Sequence, residues 1–391
     1  MGIFGIMGSI QSSNQNKREN MVKANLVKDN LMGDKIGVFF GTLAPMHIGH
    51  QAEIYKAAAL NDGVVVITSG YTGDRGDQIG LPVEKRFRYL REAFNDEKSI
   101  KVDYINEDDI PQMPNGWQEW TDRLVKTIKR NIKNPNAHIT LYTGEADYKS
   151  MLEKLLPNDG HWSVSLMDRT ILKVSATAVR KDPLGNWDYI NRVFRRHFAK
   201  KILVVGAPQT GKSTLTRRLA RTSNSPFSLE FSRAYQEKSN VFDSELLLKD
   251  YTRIIQGQYD ANSAEINSPA NNGLTFFDTD AMVTMAETRA WLPDEDAAKL
   301  KALFDNTIGE EELDLILVIP PAVAVMNGAD EARTKLFDQH LWQVIEDYGF
   351  DDKAVLLDRV GGADDPAGYY ARYLQALEII EKRVGVNLTK V

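Results

Sequence analysis

The chain has 391 residues, a formal charge of −6 and no cysteine, with 42% hydrophobic and 26% charged residues. This length favours two domains, and the composition is typical of a globular protein with enough apolar residues for real cores. The acidic balance argues against wrapping of nucleic acid through bulk electrostatics, and the missing cysteines exclude disulfides and thiolate catalysis. No apolar run approaches the roughly 20 residues that span a bilayer.

The first segment, residues 1–34, is polar, rich in asparagine and without clear helical periodicity. It has no basic region before its apolar patch, and Ile6 stands where a myristoylation signal needs Ser or Thr. We therefore expect a flexible leader without a targeting signal. Together with the absence of cysteine, this favours a cytoplasmic protein that does not insert into a membrane.

Two segments share one pattern, in which an apolar strand is followed by a turn containing Gly and Pro and then by a helix. They are KIGVFFGTLAPMHIGH from Lys35 and KKILVVGAPQTGKSTL from Lys200. Each is typical of the first βα unit of a parallel sheet, and further apolar runs alternate with amphipathic stretches. The sequence therefore predicts two α/β domains with parallel sheets, over residues 35–198 and 199–391.

Two histidines, His47 and His50, lie in the first turn of the helix predicted after the first strand. Free N–H groups at a helix N-terminus favour an anion, and Gly49 removes a side chain that would obstruct a phosphate. Zinc on a helix prefers histidines four residues apart with a third ligand, which this segment lacks. We therefore expect the pair to donate hydrogen bonds to phosphate.

A second segment of the first half, VSATAVR at 174–180, adds further phosphate-binding groups. It supplies the hydroxyls of Ser175 and Thr177 and the guanidinium of Arg180, which suit a polyphosphate leaving group. A site of donors alone suits a substrate that brings its own phosphate nucleophile, because the protein then only aligns it and stabilises the developing charge. The first half therefore predicts nucleotidyl transfer.

The second half contains the P-loop pattern G-x-x-x-x-G-K-S between an apolar strand and a helix. In this pattern backbone N–H groups surround phosphates, the lysine reaches the β- and γ-phosphates of ATP, and the hydroxyl holds Mg²⁺. The predicted ATP-binding residues are Gly206, Gly211, Lys212, Ser213 and Thr214. No motor or helicase feature surrounds them, so a small-molecule kinase is the simplest function.

Carboxylates close two apolar runs of the second half. Asp278 ends a strand at the place where a Walker-B acid would support the metal, and the alternative is a plain strand-end or capping aspartate. For Asp280, two residues later, a contact with metal or substrate and a purely structural role both stay open. Glu230 closes another run, with Arg233 three residues later. A carboxylate at Glu230 suits removal of the proton from a substrate hydroxyl that attacks the γ-phosphorus.

A kinase also needs positive charge over the transferred phosphoryl group. Arg333 in NGADEARTKLF follows an apolar strand at the place where a lid would lie. The alternative is a solvated helix face shared with Glu331 and Lys335.

Taken together, GTLAPMHIGH and VSATAVR resemble the H-x-G-H and I-S-x-T-x-x-R signatures of the nucleotidyltransferase superfamily. The stretches GYTGDRGDQIGLPVEKRFRYLREAF and PNGWQEW, followed by the P-loop segment, are similar to the NadR type of bacterial bifunctional nicotinamide-mononucleotide adenylyltransferase and ribosylnicotinamide kinase. The resemblance covers about residues 35–391. It implies a Rossmann-like nucleotidyltransferase domain followed by a P-loop kinase domain.

The resemblance also implies roles for individual residues. Those that would hold ATP phosphates in the first domain are Gly41, His47, Gly49, His50, Ser175, Thr177 and Arg180. Trp117 would stack on the nicotinamide ring, although the residues alone favour core positions for it and for Trp120, and Glu145 would contact nucleotide or substrate. The residues around riboside and metal in the second domain would be Glu230, Arg233, Asp280, Ser213 and Asp278. The catalytic candidates are His47, His50, Arg180, Lys212 and Glu230.

The resulting hypothesis is NAD salvage in two steps that use ATP and Mg²⁺. The C-terminal domain would phosphorylate nicotinamide riboside, and the N-terminal domain would adenylylate nicotinamide mononucleotide to give NAD and pyrophosphate. Some family members carry an N-terminal helix-turn-helix domain, and the 34 residues before the first strand are too few for it. We therefore expect no DNA binding.

Other functions stay open at this point. The chain could be an adenylyltransferase–kinase fusion for another small metabolite, such as a pantetheine or flavin precursor. It could also be an NAD-responsive regulator whose sites only sense nucleotide, which the net acidity disfavours. A homo-oligomer and a functional link to a riboside transporter are open as well.

Overall fold

The computed structural model describes residues 30–167, 174–386 and 388 of the chain. Contacts divide the chain into two compact units, one ending at Phe194 and the other beginning at Arg195. Each unit contains a parallel sheet whose strands alternate with helices. The predicted α/β class is therefore confirmed.

The first unit begins with a strand and alternates regularly between strands and helices. Its strands are β1 (Lys35–Gly41), β2 (Gly63–Gly70), β3 (Ile100–Asn106), β4 (His138–Thr143) and β5 (Trp162–Leu166). Its helices are α1 (Ile48–Leu60), α2 (Val83–Ala93), α3 (Trp117–Arg130), α4 (Ala146–Leu155) and α5 (Ala176–Lys181). Helix α6 (Arg192–Phe198) spans the division between the units.

The first sheet has the strand order β3-β2-β1-β4-β5, and every pair is parallel. Every residue of β2 is buried, as a strand inside a parallel sheet requires, and this explains its unbroken apolar run. The order reverses between β1 and β4, which end at Gly41 and Thr143. Such a reversal opens a crevice at the carboxyl ends of the strands, where ligands of these folds bind.

The predicted leader overlaps the described residues only at 30–34. There the backbone of Leu31 pairs with Ile132, and the Leu31 side chain is buried in the core of the first unit. Backbone hydrogen bonds of 3.0 and 2.7 Å hold Leu31 in place. Residues 30–34 therefore belong to the first unit, which corrects the predicted boundary at Lys35, and the remainder of the leader lies outside the described residues.

The second unit repeats the alternation with a larger set of helices. Its strands are β6 (Lys200–Val205), β7 (Phe227–Ser228), β8 (Leu274–Asp278), β9 (Leu315–Val318) and β10 (Ala354–Leu356). Its first helices are α7 (Lys212–Ser223), α8 (Phe231–Ser239), α9 (Leu248–Ile266), α10 (Ala281–Trp291) and α11 (Asp294–Lys299). The others are α12 (Lys301–Glu310), α13 (Pro321–Met326), α14 (Glu331–Asp347) and α15 (Tyr369–Val384).

The second sheet has the order β10-β9-β6-β8-β7 and is also parallel throughout. Alternate residues of β6 enter different cores, with Leu203 and Val205 in one and Ile202 and Val204 in the other. The sheet is thus buried on both faces, and the turn after β6 lies at its carboxyl edge. Among the described residues, the helices are too short or too polar to cross a membrane.

Candidate functional site

The two histidines after β1 cap helix α1 together. His47 is the N-cap residue, and its Nδ1 accepts a hydrogen bond from the His50 N–H at 3.3 Å. The Nδ1 of His50 accepts one from the His47 N–H at 3.4 Å, and the two rings stack with centroids 3.6 Å apart. Because each Nδ1 is an acceptor, the ring proton of each neutral histidine lies on Nε2. Both side chains are thereby fixed as Nε2–H donors.

Gly49 lies against the His47 ring and Val174, whereas the sequence predicts that its missing side chain makes room for a phosphate. A Cβ at Gly49 would lie 3.0 Å from ring atoms of His47 and 3.2 Å from Val174. The space at Gly49 therefore lets the His47 ring lie against the helix. A Cβ at Gly41 would meet no atom within 4 Å in the described part of the chain, so the end of β1 is open.

The segment around α5 is tied to the loop that carries the histidines. Ser175 caps α5 by accepting a hydrogen bond from the Ala178 N–H at 3.1 Å. Arg180 donates to the Thr177 hydroxyl at 2.9 Å and to the Ala44 carbonyl at 2.8 Å. The structure therefore brings two segments that are about 125 residues apart in sequence to the same edge of the sheet.

A buried ion pair stabilises the loop after β1. The Arg86 guanidinium is completely buried, lies 2.7 Å from the Asp74 carboxylate and donates to the Thr42 and Ser69 carbonyls at 2.6 and 3.2 Å. Arg75 donates to the Thr42 hydroxyl at 2.6 Å. The loop after β1 is thus held by two arginines that lie far from it in sequence. The stretch GYTGDRG, which contributed only to the resemblance, was the available signal.

Arg75 also adds positive charge to the edge where Arg180 lies. Burial and then the nearby Arg75 charge lower the pKa of Arg180 below its ordinary value, and Asp74 opposes the change. Two guanidinium groups that repel each other this way are suited to a polyanion, which relieves the repulsion. Arg75 is a candidate ligand that the sequence did not single out.

The two tryptophans of α3 have different environments. The Trp120 side chain is buried, and its indole N–H donates to Glu107 at 3.0 Å, so Trp120 is a core residue. Trp117 is only half-buried at the start of the helix, with its ring 4.8 Å from the Tyr148 ring at an interplanar angle of 73°. Trp117 is therefore available to a ligand in a way that Trp120 is not.

Glu145 lies beside this aromatic pair at the carboxyl end of β4. It is exposed, immediately precedes α4, and its N–H donates to the Thr143 hydroxyl at 3.2 Å. Burial and then the Glu145 charge raise the pKa of Tyr148, whereas Arg75 lowers it. The charges of Glu145 and Arg75 therefore both reach Tyr148 near the carboxyl end of β4.

The P-loop in the second unit depends on glycine at its last turn. Gly211 has a φ of 89°, in the left-handed region, and a Cβ there would lie 2.6 Å from the Tyr369 ring. Lys212 begins α7, is 8% exposed, and donates from Nζ to the Ala207 carbonyl at 3.2 Å. The turn is therefore closed around the lysine at a helix N-terminus, which is the geometry that binds phosphate.

The carboxylate of Asp278 is suited to bind magnesium. It is fully buried at the end of β8, and neither oxygen has a hydrogen-bond partner among the described residues. Burial raises its pKa, and the Ser213 hydroxyl and the Lys212 ammonium lower it. An unpartnered buried carboxylate beside a serine hydroxyl and a phosphate loop is the donor set that Mg²⁺ uses with nucleotides.

A cavity of about 500 Å³ adjoins the P-loop. Its wall includes the predicted residues Lys212, Ser213, Thr214, Glu230 and Arg233. Glu230 accepts a hydrogen bond from the Ser232 hydroxyl at 2.8 Å, and the Arg233 guanidinium lies 4.0 Å from its carboxylate. The structure therefore joins the phosphate loop to the predicted proton acceptor in one space.

Asp280 has a structural role, which argues against the predicted riboside contact. It is fully buried, caps α10, and its Oδ1 accepts hydrogen bonds from Met282 and Val283 at 3.0 and 3.4 Å. Burial raises its pKa to about 6, and burial with the Asp280 charge raises the pKa of Glu311 well above its ordinary value. Asp280 and Glu311 are a buried acid pair away from the cavity wall.

Arg333 lies at the start of α14 and stacks on an aromatic ring. Its guanidinium carbon is 4.2 Å from the centroid of Trp291, and the side chain is exposed. The neighbouring Glu331 and Lys335 form an ion pair at 2.7 Å, which agrees with the alternative that this helix face is solvated. Arg333 nevertheless lowers the pKa of Glu287 in the cavity, so its charge reaches that space.

Glu287 is a cavity residue that the sequence analysis missed. It lies in α10, lines the cavity, and has a pKa that burial, and then Glu230, raise to about 8. Its signal was an acid within MVTMAETRAW, where most neighbouring positions are buried. Acids inside such helices commonly point to solvent, which is why the pattern alone did not indicate a site.

The chain is similar to known proteins along most of its length. A family model described as an AAA domain matches residues 201–348. The trifunctional NAD biosynthesis/regulator protein NadR of Salmonella typhimurium is 27% identical over 367 residues, covering 90% of this chain and 83% of that protein. The protein of the same name from Escherichia coli is 26% identical over 368 residues, with the same coverage.

Two solved structures are similar along nearly their whole length. The crystal structure of NadR protein in complex with NR is 49% identical, with a TM-score of 0.82, and the match covers 92% of this chain and 98% of that one. The crystal structure of NadR protein in complex with NAD and AMP-PNP is 50% identical at the same TM-score, covering 92% and 99%.

Proposed function

The chain belongs to the NadR family, and from this membership and its two phosphate sites we infer that it makes NAD in two ATP-dependent steps. The second unit is a ribosylnicotinamide kinase, and the first unit is a nicotinamide-mononucleotide adenylyltransferase. The observation that carries this conclusion is the near-complete similarity to NadR bound to NR and to NAD with AMP-PNP. Those ligands are a substrate, the final product and an ATP analogue.

For the kinase step, the 5′-hydroxyl of nicotinamide riboside attacks the γ-phosphorus of ATP. The P-loop N–H groups and Lys212 hold the phosphates, and Lys212 exchanges its hydrogen bond with Ala207 for one with a phosphate oxygen. Glu230 lines the same cavity and accepts the proton that the hydroxyl loses. The products are the mononucleotide and ADP.

Magnesium fits this site through Ser213 and Asp278. When bound, Mg²⁺ neutralises charge on the β- and γ-phosphates. Ser213 supplies a hydroxyl at the first turn of α7, and Asp278 supplies the buried carboxylate that has no partner in the described part of the chain. The raised pKa of Asp278 reflects the burial of its charge, which a bound cation would offset.

For the adenylyl step, a phosphate oxygen of the mononucleotide attacks the α-phosphorus of ATP, and pyrophosphate leaves. The Nε2–H groups of His47 and His50 donate to phosphate oxygens, because the reciprocal cap fixes their tautomers. Arg180 and Arg75 hold the pyrophosphate, and Ser175 keeps its hydroxyl proton to donate because its oxygen only accepts in the cap. Thr177 belongs to the same cluster.

The mononucleotide lies against Trp117 and Glu145 in this proposal. The half-buried indole of Trp117 offers a face to the cationic nicotinamide ring, and the exposed Glu145 carboxylate lies on the same side of the switch point. Gly41 leaves the end of β1 open for the nucleotide.

The test is a product analysis with the intact chain. Protein, Mg²⁺, ATP and isotopically labelled nicotinamide riboside are incubated, and labelled mononucleotide and NAD are followed by mass spectrometry. Both should appear in sequence, with ADP and pyrophosphate as co-products. Absence of both labelled products would contradict the proposal, and turnover of pantetheine or flavin precursors instead would support the fusion alternative. Binding without turnover would support a regulator.

Cytoplasmic localisation remains a proposal that rests on the cysteine-free composition. A homo-oligomer and a functional link to a riboside transporter remain predictions from the sequence.

A further inference from the structure

One carboxylate of the kinase cavity has no part in the phosphoryl transfer described above. Glu287 lies in the second turn of α10 and lines the same space as Lys212 and Glu230. Within the described part of the chain it makes no hydrogen bond or ion pair. It is therefore a partly buried acid of the cavity wall that is open to a partner from a bound molecule.

The other acids of the cavity already have partners. Glu230 accepts a hydrogen bond from Ser232 at 2.8 Å, and Asp243 accepts one from Gln236 at 2.7 Å. The cations of the P-loop are assigned to phosphate, since nucleotide phosphates carry far more negative charge than one carboxylate. Glu287 is thus the acid of this cavity that a bound molecule can compensate.

A carboxylate that is partly withdrawn from water and has no protein partner is stabilised when a cation binds beside it. Nicotinamide riboside carries a fixed positive charge on its pyridinium ring, whereas common nucleosides have neutral bases. We propose that Glu287 is a specificity-determining residue that pairs with the cationic ring and makes the kinase prefer cationic ribosides to neutral ones. This inference rests on the proposed function, because it names the feature by which that site selects its substrate.

The surroundings of Glu287 set the pH range in which its charge is available. The charged and titratable groups near it are Glu230, Asp243, Lys212, Arg333 and Tyr251. Burial and the two acids raise the pKa of Glu287 to about 8, and the two cations oppose the rise. The pKa of the Tyr251 phenol is raised to about 12, so the phenol stays neutral. A cationic riboside should therefore bind more tightly as pH rises toward 8, because Glu287 loses its proton there.

Steady-state kinetics of the full chain can separate charge from shape. The two substrates are nicotinamide riboside and its neutral dihydro form, and the phosphorylated products are measured by mass spectrometry at pH 8. We expect Glu287→Gln to raise KM for the cationic riboside about 30-fold and to change KM for the neutral one less than about 3-fold. Glu287→Asp keeps the charge and should keep a preference for the cationic riboside.

Two results would overturn the inference. One is an equal rise in KM for both ribosides in Glu287→Gln, because a contact to ribose hydroxyls or a packing role does not distinguish ring charge. The other is a wild-type KM for the cationic riboside that does not decrease as the pH is raised from about 6 to about 8. This measurement needs no variant. Failure of the proposed function has a different signature, since the wild-type chain would then phosphorylate neither riboside.

Discussion

The two phosphate sites follow the first strand of their respective parallel sheets, yet they are built from different chemical groups. After β1 the proposed phosphate ligands are side chains, namely two histidines with fixed tautomers and a pair of arginines. After β6 the loop itself turns, with Gly211 in a left-handed conformation and Lys212 at the start of a helix. The same position in the fold thus supports two distinct phosphate cradles.

The difference follows from the nucleophile that each step uses. In the kinase the attacking hydroxyl must lose a proton, and the cavity contains Glu230 beside the phosphate loop. In the adenylyltransferase the nucleophile is already a phosphate anion, and the residues assigned to ATP there are donors. The two chemistries require a proton acceptor in the kinase site and hydrogen-bond donors around ATP in the adenylyltransferase site.

The largest expected effect is on the kinase, through the P-loop lysine. Lys212→Ala should lower the rate of riboside phosphorylation by about 10³-fold, because it removes the charge that stabilises the transferred phosphoryl group. Adenylylation of added mononucleotide should stay within about 2-fold of wild type. Separate assays of mononucleotide and NAD formation measure both, and loss of both activities in a folded variant would contradict two independent sites.

The converse change is at the histidine clamp. His50→Ala should lower NAD formation from mononucleotide by about 10²- to 10³-fold and leave riboside phosphorylation intact. His50→Asn is the matched control, because its side-chain oxygen can replace Nδ1 in the cap of His47 but offers no donor at the position of Nε2. We expect Asn to be as inactive as Ala, whereas recovery of activity would mean that His50 only caps the helix.

The proposed place of Arg75 in the adenylyltransferase site can be tested by substitution. Arg75→Ala should raise KM for ATP in the adenylyl step by about 10-fold, since it removes one of the two guanidinium groups at the pyrophosphate position. Arg123→Ala is the control, because Arg123 is engaged at 2.6 Å with Asp109 and has no place in the site. Equal KM values for the two variants would remove Arg75 from the site.

A weaker effect is expected on mononucleotide binding. Trp117→Leu keeps an apolar side chain but removes the aromatic face, and it should raise KM for the mononucleotide about 5- to 10-fold. KM for ATP should be unchanged, which distinguishes loss of stacking from a disturbed helix α3. A proportional rise in both KM values would indicate that Trp117 acts only through the aromatic cluster.

The smallest effect concerns stability and pH. Asp280 has a folded-state pKa of about 6, above its ordinary value, so its protonated form stabilises the fold at low pH and this contribution is lost as pH rises from about 4 to 6. Asp280→Asn keeps a side-chain oxygen that can accept the cap hydrogen bonds, and it removes the carboxyl group that titrates. Urea unfolding should show wild type losing on the order of 1 kcal/mol relative to the variant across that interval. Parallel pH profiles would contradict this assignment.

The sequence predicted the parts of each site that are contiguous in the chain. The P-loop and the two histidines are local patterns whose glycine and helix-start context fixes their geometry before any tertiary contact forms. Arg75, Arg86 and Glu287 were not predicted, because their positions depend on packing between elements that lie far apart in sequence. Asp280 was ambiguous for the same reason, since a strand-end acid can cap the next helix or face a ligand.

The central claim is that one chain carries two separate active sites for consecutive reactions. The most direct measurement mixes folded Lys212→Ala and His50→Ala proteins and follows NAD formation from labelled nicotinamide riboside. Each variant alone should form NAD from the riboside at no more than about 1% of the wild-type rate. The mixture should restore NAD formation, because one variant supplies the kinase and the other the adenylyltransferase. A mixture that stays inactive, although each protein is folded, would contradict the account.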